Sequence, residues 1–450
     1  MFRFLYRLYF WLYALKRWCL RRFTPLGLGV LGLTLVTAMM GPDTENNVAY
    51  QAFALSLCLL VLAVLWSPFF RGRFAATRLL PRFGTVGHPL RYQVRLQNLG
   101  RRPQRGLTLL ETWAEPRPSY RDWLAAQRAE MRRVRSFRVS QQRRSDPFKV
   151  AAAGETAPVN LEPGEETDVP VEMTPVRRGL LRLDEVTVAR TDPLGLFRAF
   201  VRVPAPQSAL ILPRRYALPS IALPGTRKYQ QGGVALASNV GLSDEFVALR
   251  DYRRGDPLRH IHWRSWAKAG KPVVREFEDE FFVRHALVLD TFIEDPLSQA
   301  FEEAVSVAAS FACTLQTQES LLDLLFVGTQ SFCFTAGRGV AHSDQMLEIL
   351  AAVSPCRGRR FQELEHLVLN HVSVVSGCVC VLLAWDDARR RFIEKLKLLG
   401  LPLLVLVIVE AGAGGSVEPG PMREDPAHFH VLEVGRIEAG LARLVQPWPV

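Results

Sequence analysis

Two histidines separated by one residue have the spacing of metal ligands. His260 and His262 flank Ile261, so in a strand both rings would lie on one face of the sheet. Asp256 adds an oxygen ligand nearby, and the three side chains could hold zinc and activate water for hydrolysis. The same spacing is also common where nothing binds. A metal-dependent hydrolase is therefore one hypothesis for the function.

Carboxylates also follow two apolar runs. Asp290 ends the run 285–290, and Asp386 and Asp387 follow the run 379–384. If both runs are parallel strands, their carboxyl ends meet at the edge where open α/β sheets bind ligands. Two carboxylates there could hold Mg²⁺ through water, so Asp290 with Asp387 gives a second form of the hydrolase hypothesis. The alternative is that Asp290 caps the following helix or pairs with a basic side chain.

The segment 244–280 is too charged for a core and too aromatic for a linker. It holds eight basic and eight acidic side chains, and this balance favours internal ion pairing over a simple anion-binding patch. Because guanidinium groups pair well with carboxylates, we expect Arg250, Asp256 and Arg259 to form an ion-pair network that docks the segment beside a sheet. If these groups are half exposed instead, they form a partner-recognition patch.

Part of this segment follows the pattern F-x-x-L-R-x-Y-x-x-G-D-x-x-R-x-I-x-W. The nine matching positions are Phe246, Leu249, Arg250, Tyr252, Gly255, Asp256, Arg259, Ile261 and Trp263. Upstream, residues 177–179 read RRG and residues 192–197 read DPLGLF. With these motifs the chain resembles the bacterial membrane proteins grouped as domain of unknown function 58, which often contain a von Willebrand factor A-like domain. The resemblance covers most of residues 24–400. We expect the signature positions to bind protein or to be structural.

The resemblance implies a von Willebrand factor A-like fold for the C-terminal part. Metal-binding members of that fold place Asp-x-Ser-x-Ser after the first strand, whereas here Phe292 and Glu294 replace both serines. The usual hydroxyl ligands are therefore gone. Relatives are commonly associated with MoxR-type AAA+ ATPases, which implies such an ATPase as partner and a role in assembling or maturing other complexes.

Several catalytic signatures are missing from the sequence. It contains no GxxxxGK[ST] loop, no GxSxG elbow and no HExxH pair. Gly27, Gly29 and Gly32 spell GxGxxG, but they lie inside an apolar run with no strand before them, which favours helix packing. The seven cysteines include no CxxC pair, so neither a disulfide framework nor a cysteine zinc site is indicated.

The elements that must position these residues divide the chain into four segments. Residues 82–215 alternate short strand-like runs with turns, which predicts a small antiparallel β-sandwich with a basic helical insertion at 117–149. Residues 216–284 contain the signature. Residues 285–450 alternate strands with helices, which predicts a mostly parallel sheet. Residues 1–81 precede all of these.

The first segment predicts a membrane anchor. Residues 23–40 and 48–66 are two uncharged apolar runs, which predict a hairpin of two membrane-spanning helices. Residues 1–22 interleave aromatic and basic side chains, as an interfacial helix would. Basic residues flank the hairpin on both outer sides, so the positive-inside rule places both termini in the cytoplasm of a multi-pass inner-membrane protein.

The net charge supports the same interpretation. Residues 1–95 contain 12 basic and 2 acidic side chains and so supply most of the net charge of +12. Nucleic-acid binding therefore has no compositional support. We expect a cytoplasm-facing scaffold that presents a protein-binding domain and works with a MoxR-type ATPase; the alternative is the metal-dependent hydrolase. The oligomeric state does not follow from the sequence.

Overall fold

The protein is described here by a computed structural model. It describes residues 2–40, 48–114, 119–121, 123–124, 149–219, 246–253, 256, 258, 261–277, 283–295, 297–314, 320–337, 343–412 and 417–444. The chain divides into two compact units. Unit 1 comprises Met1–Arg214 with Asp295–Leu297, and unit 2 comprises Arg215–Glu294 with Ser298–Val450.

Unit 1 begins with three helices, of which one is long and apolar enough to cross a bilayer. They are α1 (Phe2–Arg22), α2 (Pro25–Met40) and α3 (Val48–Trp66). Among the described residues, only the helical stretch Val48–Phe69, which extends α3 by a 3₁₀ turn, meets the length and hydropathy expected of a span. The α2 helix has 16 residues, fewer than the roughly 20 that a bilayer requires.

The predicted fold class, which begins with a two-helix membrane hairpin, is therefore wrong. Phe23 and Thr24 extend the uncharged run in the sequence, but both lie outside α2 because Phe23 forms an isolated bridge with Phe197. The predicted localisation, a multi-pass inner-membrane protein with both termini in the cytoplasm, rested on the hairpin and is wrong with it. The chain is a mixed α/β protein with several sheets.

Two sheets of unit 1 share one core. The strands are β1 (Phe74–Leu79), β2 (Phe83–Thr85), β3 (Leu90–Asn98), β4 (Gln104–Trp113), β5 (Ala151–Ala153), β6 (Val159–Leu161), β7 (Glu166–Pro175), β8 (Gly179–Thr191) and β9 (Arg198–Leu212). One sheet has the order β1-β3-β7-β5 and the other β2-β9-β8-β4-β6. Alternate residues of β3 are buried, and Val94 and Leu96 pack with Leu181 and Val188 of the second sheet. The predicted insertion 117–149 lies mostly outside the described residues.

Unit 2 contains a hairpin and a larger sheet. The hairpin pairs β10 (Phe246–Asp251) with β11 (Val273–Phe277), and the short helix α4 (Trp263–Ala269) lies between them in the chain. The larger sheet has the order β14-β13-β12-β15-β16-β17, from β12 (Val283–Leu289), β13 (Ser320–Val327), β14 (Ser331–Ala336), β15 (Gly377–Leu382), β16 (Leu403–Val409) and β17 (Phe429–Glu433). Its pairings are parallel except that of β13 with β14.

Helices cover the larger sheet. They are α5 (Gln299–Thr314), α6 (Ser343–Ala352), α7 (Gln362–Leu369), α8 (Asp387–Leu398) and α9 (Ile437–Leu441). Ala286 and Val288 of β12 belong to the core that includes Leu364 of α7 and Phe392 of α8. Leu287 alternates with them and is equally buried, because a strand covered on both faces is apolar at every position. The carboxyl ends of β12 and β15 thus lie side by side.

Candidate functional site

An ion pair between Arg250 and Asp256 holds together the described part of residues 216–284, which we call the signature segment. Arg250 is the penultimate residue of β10, where it pairs with Val274 of β11. Its Nη1 and Nη2 atoms donate to Oδ2 and Oδ1 of Asp256 at 2.7 and 2.8 Å, and the backbone N–H of Arg253 donates to the same carboxylate at 2.8 Å. The two Arg250 contacts form a fork that fixes the relative orientation of both groups.

These contacts set the protonation state of Asp256. The hydrogen bonds from Arg250, followed by the backbone hydrogen bond from Arg253, lower the pKa of Asp256 from 3.8 to about 2. The carboxylate is therefore ionised at neutral pH and accepts hydrogen bonds from Arg250 and Arg253. The side chains of Arg250 and Asp256 remain 31% and 16% exposed, so the pair lies at the surface and is not part of a core.

The segment then turns into α4 and presents an aromatic pair. Ile261 is buried and bridges to Val274, and Gly270 ends the helix in the left-handed conformation (φ +66°) that glycine adopts without strain. The rings of Trp263 and Trp266 stack with their centroids 5.2 Å apart. Trp263 is 66% exposed, and Trp266 beneath it is half-buried.

The predicted zinc ligands have other contacts where the structure describes them. Asp256 binds Arg250, and Nδ1 of His262 lies 2.6 Å from the hydroxyl of Ser265. His260 lies outside the described residues. Of the signature positions, Gly255 and Arg259 also lie outside them, whereas Tyr252 is half-buried and its N–H donates to the carbonyl of Pro272.

A second cluster lies at the carboxyl edge of the larger sheet, where Asp290 directly follows β12. The Asp290 side chain is fully buried and accepts hydrogen bonds from four donors. Two are the backbone N–H groups of Phe292 and Leu383, at 2.9 and 3.1 Å. The other two are Nε and Nη2 of Arg389, at 3.0 and 3.3 Å. The four donors thus occupy both oxygens of the carboxylate.

Arg389 connects this carboxylate to the start of α8. Asp386 is the N-cap of α8 and accepts the backbone N–H of Arg389 at 3.0 Å. Its second oxygen accepts from Nη1 of Arg389 at 2.6 Å, and the guanidinium lies over the Phe361 ring, 4.6 Å from its centroid. Burial alone would lower the pKa of Arg389, but the Asp290 and Asp386 carboxylates raise it above its ordinary value.

The edge therefore has a permanent cation of its own. The guanidinium of Arg389 pairs with two of the three predicted metal ligands, Asp290 and Asp386, while Asp387 is exposed and lies 3.9 Å from Arg390. No cluster of three or more His, Cys, Asp or Glu side chains with metal-binding geometry occurs within the described residues. This arrangement matches the alternative in which Asp290 pairs with a basic side chain.

Sequence reasoning did not identify Arg389. One signal was available: Arg389 lies three residues after the helix cap Asp386, where its side chain can reach back over the first turn of α8. Its second partner, Asp290, lies 99 positions earlier in the chain, so no local pattern links the two residues. Trp266 was identified as part of the segment, but the stacking of its ring on Trp263 follows only from the helix geometry.

The DPLGLF motif has a position in unit 1. It forms the turn between β8 and β9, where the Asp192 carboxylate accepts the backbone N–H groups of Leu194, Leu196 and Phe197 at 2.9, 2.7 and 2.6 Å. The carbonyl oxygen of Leu196 accepts the N–H of Thr24 at 3.1 Å. The motif therefore fixes the junction between α1 and α2.

The comparison with protein families concerns unit 2, where both clusters lie. Residues 248–400 match the family described as Protein of unknown function DUF58. The DUF58 match includes Arg250, Asp256 and Trp263 of the signature as well as Asp290 and Arg389 of the sheet edge. The function of that family is unknown, so the match assigns no activity to these residues.

One curated relative is the Uncharacterized protein YeaD of Bacillus subtilis (strain 168). It is 27% identical over 184 residues, which are 40% of this chain and 44% of that protein. The chain thus matches less than half the length of this relative. Its name gives no activity either.

Among solved structures, the CARDB domain of PF1109 from Pyrococcus furiosus is 14% identical and covers 31% of this chain and 93% of its own, with a TM-score of 0.16. Native alpha-2-macroglobulin from Escherichia coli, spanning domain MG7 to the C-terminus, is 15% identical and covers 36% of this chain and 21% of its own, with a TM-score of 0.20. Likenesses this low imply neither fold nor function.

Proposed function

We propose that the protein is a scaffold or adaptor that binds another protein through the signature segment of unit 2. The observation that supports this most is the exposed Trp263, stacked on Trp266 in a segment fastened by the Arg250–Asp256 fork. Tryptophan is enriched among the residues that dominate binding energy at protein interfaces. A stacked, pre-oriented ring also loses little conformational entropy on binding.

The chemistry of the surface indicates what the partner offers. Arg264 and Lys268 are exposed on α4, the helix that begins with Trp263, and Leu258 is exposed a few residues earlier in the chain. Such a surface fits an apolar pocket rimmed by acidic side chains. The von Willebrand factor A-like character of unit 2 and a MoxR-type AAA+ ATPase as partner belong to this proposal, and both are supported by the resemblance to the family.

The sheet edge of unit 2 has a structural task in this proposal. Asp290 is neutralised by Arg389, so the residue best placed to bind a cation already has one. A scaffold does not require a metal ion or a cofactor at this sheet edge. The ion pair instead anchors α8 to the end of β12 and keeps the domain that presents α4 rigid.

The proposal is tested with the purified full-length chain and the MoxR-type ATPase encoded by the same genome. Replacing Trp263 by alanine is expected to weaken binding about 30-fold or more, because interface anchors contribute roughly 2 kcal/mol or more. The control is Leu398→Ala, which removes another side chain of unit 2 that is 82% exposed. It should leave the dissociation constant unchanged.

Two outcomes contradict different parts of the proposal. If the wild-type chain does not bind the ATPase, the choice of partner is wrong. If it binds and the alanine variant at Trp263 binds equally well, the choice of surface is wrong.

A further inference from the structure

The first helix exposes a continuous apolar stripe. Five side chains recur on α1 at alternating intervals of four and three residues, so they line one face of the helix. They are Phe4, Leu8, Trp11, Leu15 and Trp18, with exposures of 69, 38, 62, 42 and 50%. Leu5 and Leu12 widen the stripe on one side and are 41 and 50% exposed. We call these seven residues the outward stripe.

The opposite face of α1 is already packed within unit 1. The Tyr6 ring lies 5.6 Å from that of Tyr120 and 5.5 Å from that of Trp123, and the Tyr9 ring lies 6.2 Å from that of Trp123. At the C-terminal end of α1, Arg21 donates to the hydroxyl of Thr112 at 2.8 Å. These contacts fix the rotation of the helix. Within the outward stripe, the Trp18 ring lies 6.2 Å from that of Phe23 and 6.3 Å from that of Phe197, and Trp18 remains 50% exposed.

The charges beside the stripe all have one sign. The α1 helix contains six basic side chains and no acidic one. By helical periodicity, Arg3 and Arg7 border the stripe on one side and Lys16 on the other, and all three are exposed. A second copy of the same face would therefore meet like charges. A surface that is both anionic and partly apolar can bury the apolar stripe and pair with the basic side chains beside it.

We propose that the outward stripe of α1 lies on an anionic lipid surface. Trp11 and Trp18 then stand at the level of the headgroups, where the amphipathic indole ring is favoured, and the leucines enter the acyl boundary. Lipid is favoured over a protein partner because unit 1 also contains α3, a helix long and apolar enough to cross a bilayer, on which side chains such as Leu55 and Leu65 are 64 and 60% exposed. The phosphate groups of the lipid pair with Arg7 and Lys16.

The test places a fluorescent amino acid in the full-length chain, in place of either Leu15 or Tyr13. Leu15 is on the outward stripe, whereas Tyr13 is half-buried on the face that turns toward the protein, so the two reporters differ only in the face they probe. The chain is reconstituted into vesicles of phosphatidylethanolamine and phosphatidylglycerol with brominated acyl chains. The reporter at Leu15 is expected to be quenched several-fold more strongly than the reporter at Tyr13.

Charge variants test the headgroup chemistry. Arg7→Gln and Lys16→Gln should each lower the equilibrium constant for lipid binding of α1 by roughly fivefold in these vesicles. In phosphatidylcholine vesicles the same substitutions should have no effect. Equal quenching at the two reporter positions, or no quenching at either, would overturn the proposal. If the quenching at Leu15 is the same in the charge variants and in both kinds of vesicle, α1 binds lipid without a preference for anionic headgroups, and that part of the proposal is wrong.

Discussion

At the scale of single residues, the decisive pairing is that of Arg389 with Asp290. Both side chains are withdrawn from water, which is costly for ions, and the cost is offset because the carboxylate is saturated by four donors. The guanidinium is equally engaged, with Asp386, the carbonyl of Phe292 and the face of Phe361. Both groups of the pair therefore make contacts that hold the end of β12 to the start of α8.

Replacing Arg389 by methionine leaves the Asp290 carboxylate buried without its cation. We expect this variant to lose about 3 to 5 kcal/mol of the free energy of unfolding, as is usual when one partner of a buried pair is removed. The opening free energies of the amide hydrogens in β12 and β15, obtained by hydrogen exchange, measure the loss.

The matched control is Arg391→Met, two positions further along the same helix, where the side chain is exposed. It should change the same opening free energies by less than about 0.5 kcal/mol. Equal losses in the two variants would mean that the ion pair does not anchor the sheet edge.

His285 gives a prediction for pH. It lies in the middle of the larger sheet, its Nδ1 atom has no hydrogen-bond partner among the described residues, and burial lowers its pKa from 6.5 to about 4. The folded state therefore resists protonation while the unfolded state accepts a proton. Stability is complete above pH 6.5 and falls by roughly 1.4 kcal/mol per pH unit between 6.5 and 4.

The variant His285→Val removes this titration. Urea unfolding at a series of pH values should give a flatter dependence for the variant than for the wild type in that interval. A variant that retains the wild-type slope would show that the slope arises from other groups.

At the scale of elements, the DPLGLF turn explains why α2 is shorter than the uncharged run in the sequence. The turn binds Thr24, whose hydroxyl caps α2 by accepting the N–H of Gly27 at 3.0 Å. The rings of Phe23 and Phe197 lie 5.1 Å apart beside it. Tertiary contacts thus determine where the helix begins, and the apolar composition alone gave the wrong start.

Gly27 and Gly29 form a matched pair for testing this junction. A Cβ atom at Gly27 would overlap the carbonyl oxygen of Leu196, whereas a Cβ at Gly29 meets nothing within 4 Å. We expect Gly27→Ala to lower the free energy of unfolding of unit 1 by roughly 1 to 3 kcal/mol, because the added methyl group introduces steric strain. Gly29→Ala should be neutral or stabilise α2 by roughly 0.5 to 1 kcal/mol, because alanine favours the helix.

Thermal unfolding of the purified chain distinguishes the two variants, with a lower midpoint for Gly27→Ala and an unchanged or higher one for Gly29→Ala. If both midpoints shift by the same amount, the close contact between Gly27 and the carbonyl oxygen of Leu196 does not limit the size of the side chain at position 27.

At the scale of the whole molecule, local patterns predicted individual elements better than their relations. The buried run 379–384 is β15 almost as expected, because an apolar run of this length with β-branched residues suits a strand covered on both faces. The alternation in β3 likewise follows from its residues. The partner of Asp290 did not follow, because it is supplied by a helix distant in the sequence.

The candidate site shows the same division. The local pair of Arg250 with Asp256 was expected from guanidinium chemistry and is present. The pairing of Asp290 with a basic side chain was one of the alternatives for that residue, and the structure shows Arg389 in this position; the role of Asp290 as a metal ligand stays a prediction. Arg259 and His260 lie outside the described residues, so their predicted roles stay predictions.

We expect the protein to bind its partner through the signature segment and not at the sheet edge. Hydrogen exchange of the chain, with and without the MoxR-type ATPase, distinguishes the two surfaces. The ATPase should protect the amides of α4, Trp263–Ala269, and leave the loop that follows Asp290 unchanged. Protection of that loop with none in α4 would mean that the partner binds at the sheet edge instead.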